Sequence, residues 1–188
     1  AKEIGDGQQY DLDFEKRDDV TEEEYMEMIR LKTSVLLAAS LKLGGILAGA
    51  GDSDLDNLYR YGETIGLAFQ LQDDLLDSYG TEEELGKKIG GDILEGKKTY
   101  LMLQAMSRAV EEDREILRKT HLDESLSDEE KIARVKEVYD RYDIQHTVEQ
   151  QISLRFDKAL SLLDTLELPS ERKEHLRVFA QNLMGRKK

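Results

Sequence analysis

The sequence predicts an all-α fold, a helical bundle of about six helices, on three observations. The 188 residues hold a single proline, Pro169, so little interrupts helical backbone. Alanine, leucine, glutamate and lysine abound, and these are strong helix formers. Apolar residues make up 39%, enough for one core, so a single domain over residues 1–188 is expected.

The elements follow in order. Residues 1–20 read as a short helical end, then Gly5-Asp6-Gly7 and an acidic loop. Thr21 to Glu24 forms a capping box that opens a long helix to about Ala50. Gly51-Asp52-Ser53 makes a turn, and Ser53 starts a second long helix ending near Tyr79-Gly80. Residues 80–96 are glycine-rich, and a helix resumes near Lys97 and runs to about Arg114. Ser127 to Glu130 is another capping box, opening a helix to about Tyr142. A further helix spans about Ile144 to Leu166, and Pro169-Ser170 opens the last, to about Met184. The apolar stretch Ser34–Ala50 approaches bilayer length, but Lys42 and Gly44-Gly45 interrupt it. It reads as a core or interface helix, so no membrane span is expected. The opening Ala-Lys-Glu-Ile lacks the apolar run of a signal peptide, so a cytoplasmic location is expected. A start at Ala1 rather than Met predicts a processed or truncated chain.

Composition excludes several function classes. A net charge of −14 argues against nucleic acid as a partner, since phosphate-backbone binding needs a basic footprint. With no cysteine there is no disulfide and no thiolate zinc site. His121, His146 and His175 are scattered, and no Glu-x-x-His pair supports a di-iron bundle. No Ser/His/Asp arrangement and no Walker-type glycine loop is present.

The chemistry concentrates in Phe69-Gln70-Leu71-Gln72-Asp73-Asp74-Leu75-Leu76-Asp77. Gln70, Asp73, Asp74 and Asp77 stand at i, i+3, i+4 and i+7 and share one helix face. Leu55, Leu58, Ile65, Phe69 and Leu76 predict that much of the remaining surface is buried. Carboxylates on a buried helix repel one another and need a cation. Oxygen-only ligands suit Mg2+, which keeps several waters and bridges to phosphate oxygens. The similar Asp18-Asp19-Val20-Thr21-Glu22 lies in a polar loop before a helix cap and reads as solvated. Lys32-Thr33 falls where the first long helix turns apolar. Lys87-Lys88 and Lys97-Lys98 punctuate the glycine-rich segment, a pattern that suits a flap bringing cations over a phosphate. There, Asp92 and Gly96 fit a tight approach of backbone to ligand. Gly7-Gln8-Gln9-Tyr10-Asp11 says little alone, and Tyr139 and Tyr142 read as packing residues.

In this order the elements resemble the C-terminal half of a trans-isoprenyl diphosphate synthase, of the polyprenyl synthetase family. Phe69-Gln70 followed by Asp73-Asp74-x-x-Asp77 resembles the family's second aspartate-rich motif. The resemblance implies that Asp73 and Asp74 bind Mg2+ bridging to a diphosphate, with Asp77 a supporting member of the metal set. Lys32-Thr33 resembles the family's Lys-Thr pair, whose lysine contacts the allylic diphosphate. Gly7-Gln8 and Asp11 resemble its Gly-Gln-x-x-Asp element. Gly86-Lys87, Gly90-x-Asp92 and Gly96-Lys97-x-Thr99 resemble its flap, with Lys87 the implied diphosphate ligand and Lys88 a competing choice. Tyr100-Leu101 replaces the more usual Leu-Pro.

The resemblance thus implies Lys32, Thr33, Gln70 and Asp73 as catalytic residues. It implies Lys32, Gln8, Phe69, Gln70, Lys87 and Lys97 as substrate-binding. The implied substrates are an allylic diphosphate and isopentenyl diphosphate, and the full enzyme is expected to be a homodimer. The family also needs a first Asp-Asp-x-x-Asp motif on a facing helix, and nothing before Asp73 supplies it. The chain is therefore expected to be a part of such an enzyme, lacking its N-terminal helices and nearly inactive alone. Three competing readings stand beside this one: a non-catalytic helical partner of such a synthase, a terpene cyclase-like enzyme, and a structural bundle that binds nothing.

Overall fold

The computed structural model describes residues 1–81, 83, 86 and 88–185. Among them the fold is all-α, with no β-strand. The helices are α1 (Lys2–Phe14), α2 (Glu22–Ile29), α3 (Val35–Leu47), α4 (Asp52–Tyr79) and α5 (Gly91–Leu94). They continue as α6 (Tyr100–Arg108), α7 (Glu111–Lys119), α8 (Asp128–Arg141), α9 (Ile144–Asp164) and α10 (Ser170–Met184). A π-helical turn, Arg30–Ser34, separates α2 from α3, and a 3-10 turn, Thr120–Leu122, follows α7. The chain divides into two compact units. One holds residues 1–10, 26–70 and the chain from 151 onward; the other holds 11–25 and 71–150.

The first unit is built on an apolar core. Leu58, Tyr61 and Ile65 of α4 pack with Ala159 and Leu163 of α9, Leu166, and Ala180 of α10. Leu37 and Leu41 of α3 and Phe156 of α9 are among the partly buried residues packed against it. Each fully buried Leu or Ile here contributes about 1.5–3 kcal/mol relative to exposure. Two polar groups that enter the core are matched. The Tyr61 hydroxyl donates to the Leu176 carbonyl at 2.7 Å, and the buried Asp54 accepts the Glu167 N–H at 2.9 Å.

The second unit packs α8 against α5, α6 and α7. Leu101, Ala105, Leu117, Val135, Val138 and Tyr139 are among its buried residues on these elements. Asp113, also buried, takes an ion pair from Arg141 and a hydrogen bond from Tyr142 at 2.8 Å. Those donors, Arg141 first, hold its carboxyl below the ordinary carboxylate range.

Both capping boxes form. Thr21 N–H donates to Glu24 at 2.9 Å while Glu24 N–H donates to Thr21 Oγ1 at 3.2 Å. Ser127 and Glu130 do the same at 2.8 and 3.2 Å. Three boundaries differ from the sequence reading. Helix α1 runs through Gly5 and Gly7 instead of breaking there. The helix expected over 21–50 is divided by the π turn. The helix expected over 97–114 breaks at Ala109-Val110, where both residues are extended and Val110 N–H donates to the Tyr142 hydroxyl at 3.0 Å. No helix of the described residues is long and apolar enough to cross a membrane.

Candidate functional site

In the first unit the sequence-predicted residues gather at the π turn. There Val35 N–H reaches back five residues to the Arg30 carbonyl, which widens the helix by one residue at Lys32-Thr33. Such turns recur at functional positions. Two glycines allow it to be packed from different elements. A Cβ on Gly7 would lie 2.8 Å from Lys32 Cα, and one on Gly66 would lie 2.6 Å from Ser34 Cα. Gly7 is thus where α1 closes on the Lys32 backbone, and Gln8 beside it is exposed. Lys32 and Thr33 are half-buried. The Thr33 hydroxyl meets the Gln70 side-chain oxygen at 2.9 Å, joining the π turn to α4. Phe69, next to Gln70, is half-buried. Arg30 flanks the turn and pairs with Glu27 at 2.7 Å and Glu63 at 3.2 Å.

In the second unit the aspartates occupy the last turns of α4. Asp73 is half-buried, while Asp74 and Asp77 are 6% and 1% exposed. The buried Tyr25 hydroxyl donates to Asp74 Oδ2. The Tyr25 ring sits 6.1 Å from that of Tyr100, whose hydroxyl donates to Glu22 at 3.0 Å. Burial first, and then the Asp74 charge, pushes the Tyr25 phenol well above its usual pKa. Tyr139 is raised likewise, by burial and then by Asp92 and Asp74. Both phenols therefore stay protonated and able to donate.

Asp77 is engaged differently. Its Oδ2 accepts the Asp92 N–H at 2.9 Å, and its backbone carbonyl accepts the Gly90 N–H at 2.6 Å. Gly90 has φ of 81°, and a Cβ there would lie 2.6 Å from Ile132 Cγ1, so only glycine fits. The Asp92 carboxylate in turn accepts from Lys97 Nζ at 2.9 Å, and Lys97 also pairs with Glu95 at 2.9 Å. Burial works against the Lys97 charge, but the hydrogen bonds it donates to Glu95 and Asp92 outweigh that and hold the ammonium above its ordinary pKa. Lys98 pairs with Asp18 at 3.4 Å and Lys88 with Asp128 at 3.4 Å. Lys87 lies outside the described residues. The Asp18-Asp19 pair is exposed, as the loop reading expects.

The structure therefore brings together Gly7 with Lys32, Thr33 with Gln70, and Asp77 with Asp92 and Lys97. Among the described residues no three His, Cys, Asp or Glu side chains converge to hold a metal by themselves. Two further residues carry much of the geometry: Tyr25, which sequence reasoning missed, and Asp92, which it placed in the flap but gave no catalytic, substrate or metal role. Tyr25 reaches Asp74 across 49 positions, and nothing local to it signals that contact. Asp92 acts partly through its backbone; its place directly after Gly90-Gly91 was the available signal.

The family model "Polyprenyl synthetase" matches residues 1–141. The short chain isoprenyl diphosphate synthase of Methanothermobacter thermautotrophicus is 48% identical over 74% of this chain and 42% of its own length. The geranylgeranyl diphosphate synthase of Saccharolobus solfataricus is 37% identical over 98% of this chain and 55% of its own. The crystal structure of the geranylgeranyl pyrophosphate synthetase from Pyrococcus horikoshii superimposes with a TM-score of 0.89 at 32% identity, covering 99% of this chain and 56% of that one. The chain spans about half the length of the curated relatives it matches.

Proposed function

The chain belongs to the polyprenyl synthetase family, and from that premise we propose that it serves the transfer of a prenyl group from an allylic diphosphate to isopentenyl diphosphate. In that reaction the allylic C–O bond breaks and pyrophosphate leaves with the electron pair. The π electrons of isopentenyl diphosphate form the new C–C bond, and a proton is then lost. The product is a longer polyprenyl diphosphate.

The observation that carries this reading is the adjacent carboxylate pair on α4, Asp73 half-buried and Asp74 buried. Asp73 and Asp74 offer oxygen ligands only, and Tyr25 fixes the orientation of Asp74. This donor set fits a hard divalent cation such as Mg2+. Because no three protein ligands converge among the described residues, the remaining oxygens would come from diphosphate and water, which is how Mg2+ is commonly held. A bound Mg2+ would stabilise the charge developing on the leaving pyrophosphate.

Of the chain's own groups, Lys32 contacts the allylic diphosphate, and Gln8, Phe69, Lys87 and Lys97 contribute to substrate binding. Thr33 and Gln70, held together at 2.9 Å, face the developing cation with oxygen lone pairs. The widened turn at Lys32 supports this, since a π turn disturbs the carbonyl pairing of ordinary helix. The facing aspartate motif is absent from this sequence, so the chain alone turns over slowly or not at all. Leu36, Leu43, Ile46 and Leu47 of α3 are all more than half exposed, and we assign this apolar face to a homodimer contact, testable by light scattering.

The test is calorimetric titration of Mg2+ with pyrophosphate into the 188-residue chain. The unaltered chain binds, and Asp73→Ala loses affinity by about ten-fold or more. Equal binding by both would leave the carboxylate stripe without a ligand role. A prenyl-transfer assay on the same chain gives little turnover; robust turnover would reject the need for a second motif.

A further inference from the structure

The three aspartates of α4 differ in what they hold. Asp77 lies one helical turn beyond Asp73 and Asp74, at the end of α4, where carbonyls run out of helical donors. Its carbonyl accepts from Gly90 and its carboxylate Oδ2 from Asp92, both in the same turn. At 1% exposure, a carboxylate is stable only with such donors. Asp92 then carries the contact onward, because its own carboxylate holds the Lys97 ammonium. Gly90 also packs closely on Ile132, whose side chain an added Cβ would meet.

We propose that Asp77 is a positioning residue that anchors the Gly90–Lys97 turn through Asp92 and so sets where the Lys97 ammonium stands, and that it is not itself a metal ligand. This rests on the diphosphate reading only for the purpose of the anchoring, since the ammonium is the group that would meet phosphate. Asp77 holds the turn through hydrogen bonds. A carboxylate that ligates a hard cation is weakened when it becomes an amide, because its charge is lost, as the Asp73→Asn reference would show. An anchor needs only an acceptor oxygen, which an amide also has.

Asp77→Asn separates the two roles, with Asp77→Ala and Asp73→Asn as references. Two quantities are measured on the full chain: exchange of the Asp92 amide proton by NMR, and affinity for pyrophosphate with Mg2+ by calorimetry. Asp77→Ala accelerates Asp92 amide exchange by about ten-fold or more, the loss of a hydrogen bond to a charged acceptor. Asp77→Asn keeps that proton within about three-fold of the unaltered chain. It also keeps Mg2+–pyrophosphate affinity within about three-fold, while Asp73→Asn loses about ten-fold or more. If Asp77→Asn keeps the amide protected yet loses affinity as Asp73→Asn does, Asp77 is a metal ligand and the proposal fails. Unchanged exchange in Asp77→Ala also overturns it. Should Asp77→Ala not fold, the two Asp77→Asn measurements decide. Should the unaltered chain not bind Mg2+–pyrophosphate, the diphosphate reading fails, and the exchange measurements still decide the anchor.

Discussion

Helix α4 has two stretches of similar burial and opposite chemistry. From Leu58 to Ile65 it presents Leu58, Tyr61 and Ile65 to aliphatic neighbours. From Asp74 to Ser78 it buries Asp74, Asp77 and Ser78, with Tyr25 and the Gly90–Asp92 turn as partners. Apolar burial stabilises in proportion to area and asks little of direction. Carboxylate burial costs free energy unless donors are placed to meet each group. The first stretch is therefore defined by volume and the second by named partners, and changes to each should fail differently.

The largest effect is expected in the apolar stretch's core. Leu163→Ala removes a fully buried side chain and should cost about 2–5 kcal/mol in urea denaturation. It should leave Mg2+–pyrophosphate affinity intact, and a loss of affinity equal to that of Asp73→Ala would break the contrast. Next is Tyr25→Phe, which keeps the ring and removes the donor to Asp74. It should cost about 1.5–3 kcal/mol, the value of a hydrogen bond to a charged group. In an Asp74→Asn background the same change should cost clearly less, and equal costs would mean that the ring, not the hydroxyl, matters. Smaller again is Ser127→Ala, which deletes one reciprocal cap of α8 and should cost about 1 kcal/mol. A null result there would show α8 to be held by packing alone.

What the sequence disclosed follows the range of the interaction. The capping boxes at Thr21 and Ser127 were legible because both partners lie within three residues. The carboxylate stripe on α4 was legible because helical spacing is local. The break at Ala109-Val110 was not, since it carries no Gly or Pro and is held by Tyr142, 32 residues away. The π turn was hidden for the same reason: its close packing depends on Gly66, and Gly66 shows no sign of that from its own neighbours. Gly7 misled, because a glycine that reads as a loop signal is here a close-contact position inside a helix. Lys32, Thr33, Gln70 and Asp73 were legible as residue types in order. Tyr25 escaped because nothing near it points to Asp74.

His121 offers the mildest test of how the second unit manages buried polarity. Its ring lies against Gly96, where an added Cβ would come within 2.6 Å, and its Nδ1 is buried with no hydrogen-bond partner among the described residues. Burial lowers its pKa first, the Lys98 and Lys131 charges lower it further, and Asp18 opposes them. The folded state thus favours neutral imidazole, while the unfolded chain takes up a proton near pH 6.5. The unfolded state binds more protons between these two values, so stability falls as pH drops through that window. The contribution is fully present above about pH 6.5, is lost as pH falls through the lower folded-state value, and stays constant below it. Urea midpoints measured from pH 7.5 to 5 should show a shallow decline that His121→Gln flattens, because glutamine does not titrate. Asp113, held low by Arg141, sets a separate loss further toward acid and is untouched by that change. An unchanged slope in His121→Gln would assign the decline to other groups and remove His121 from the account of this unit's polar interior.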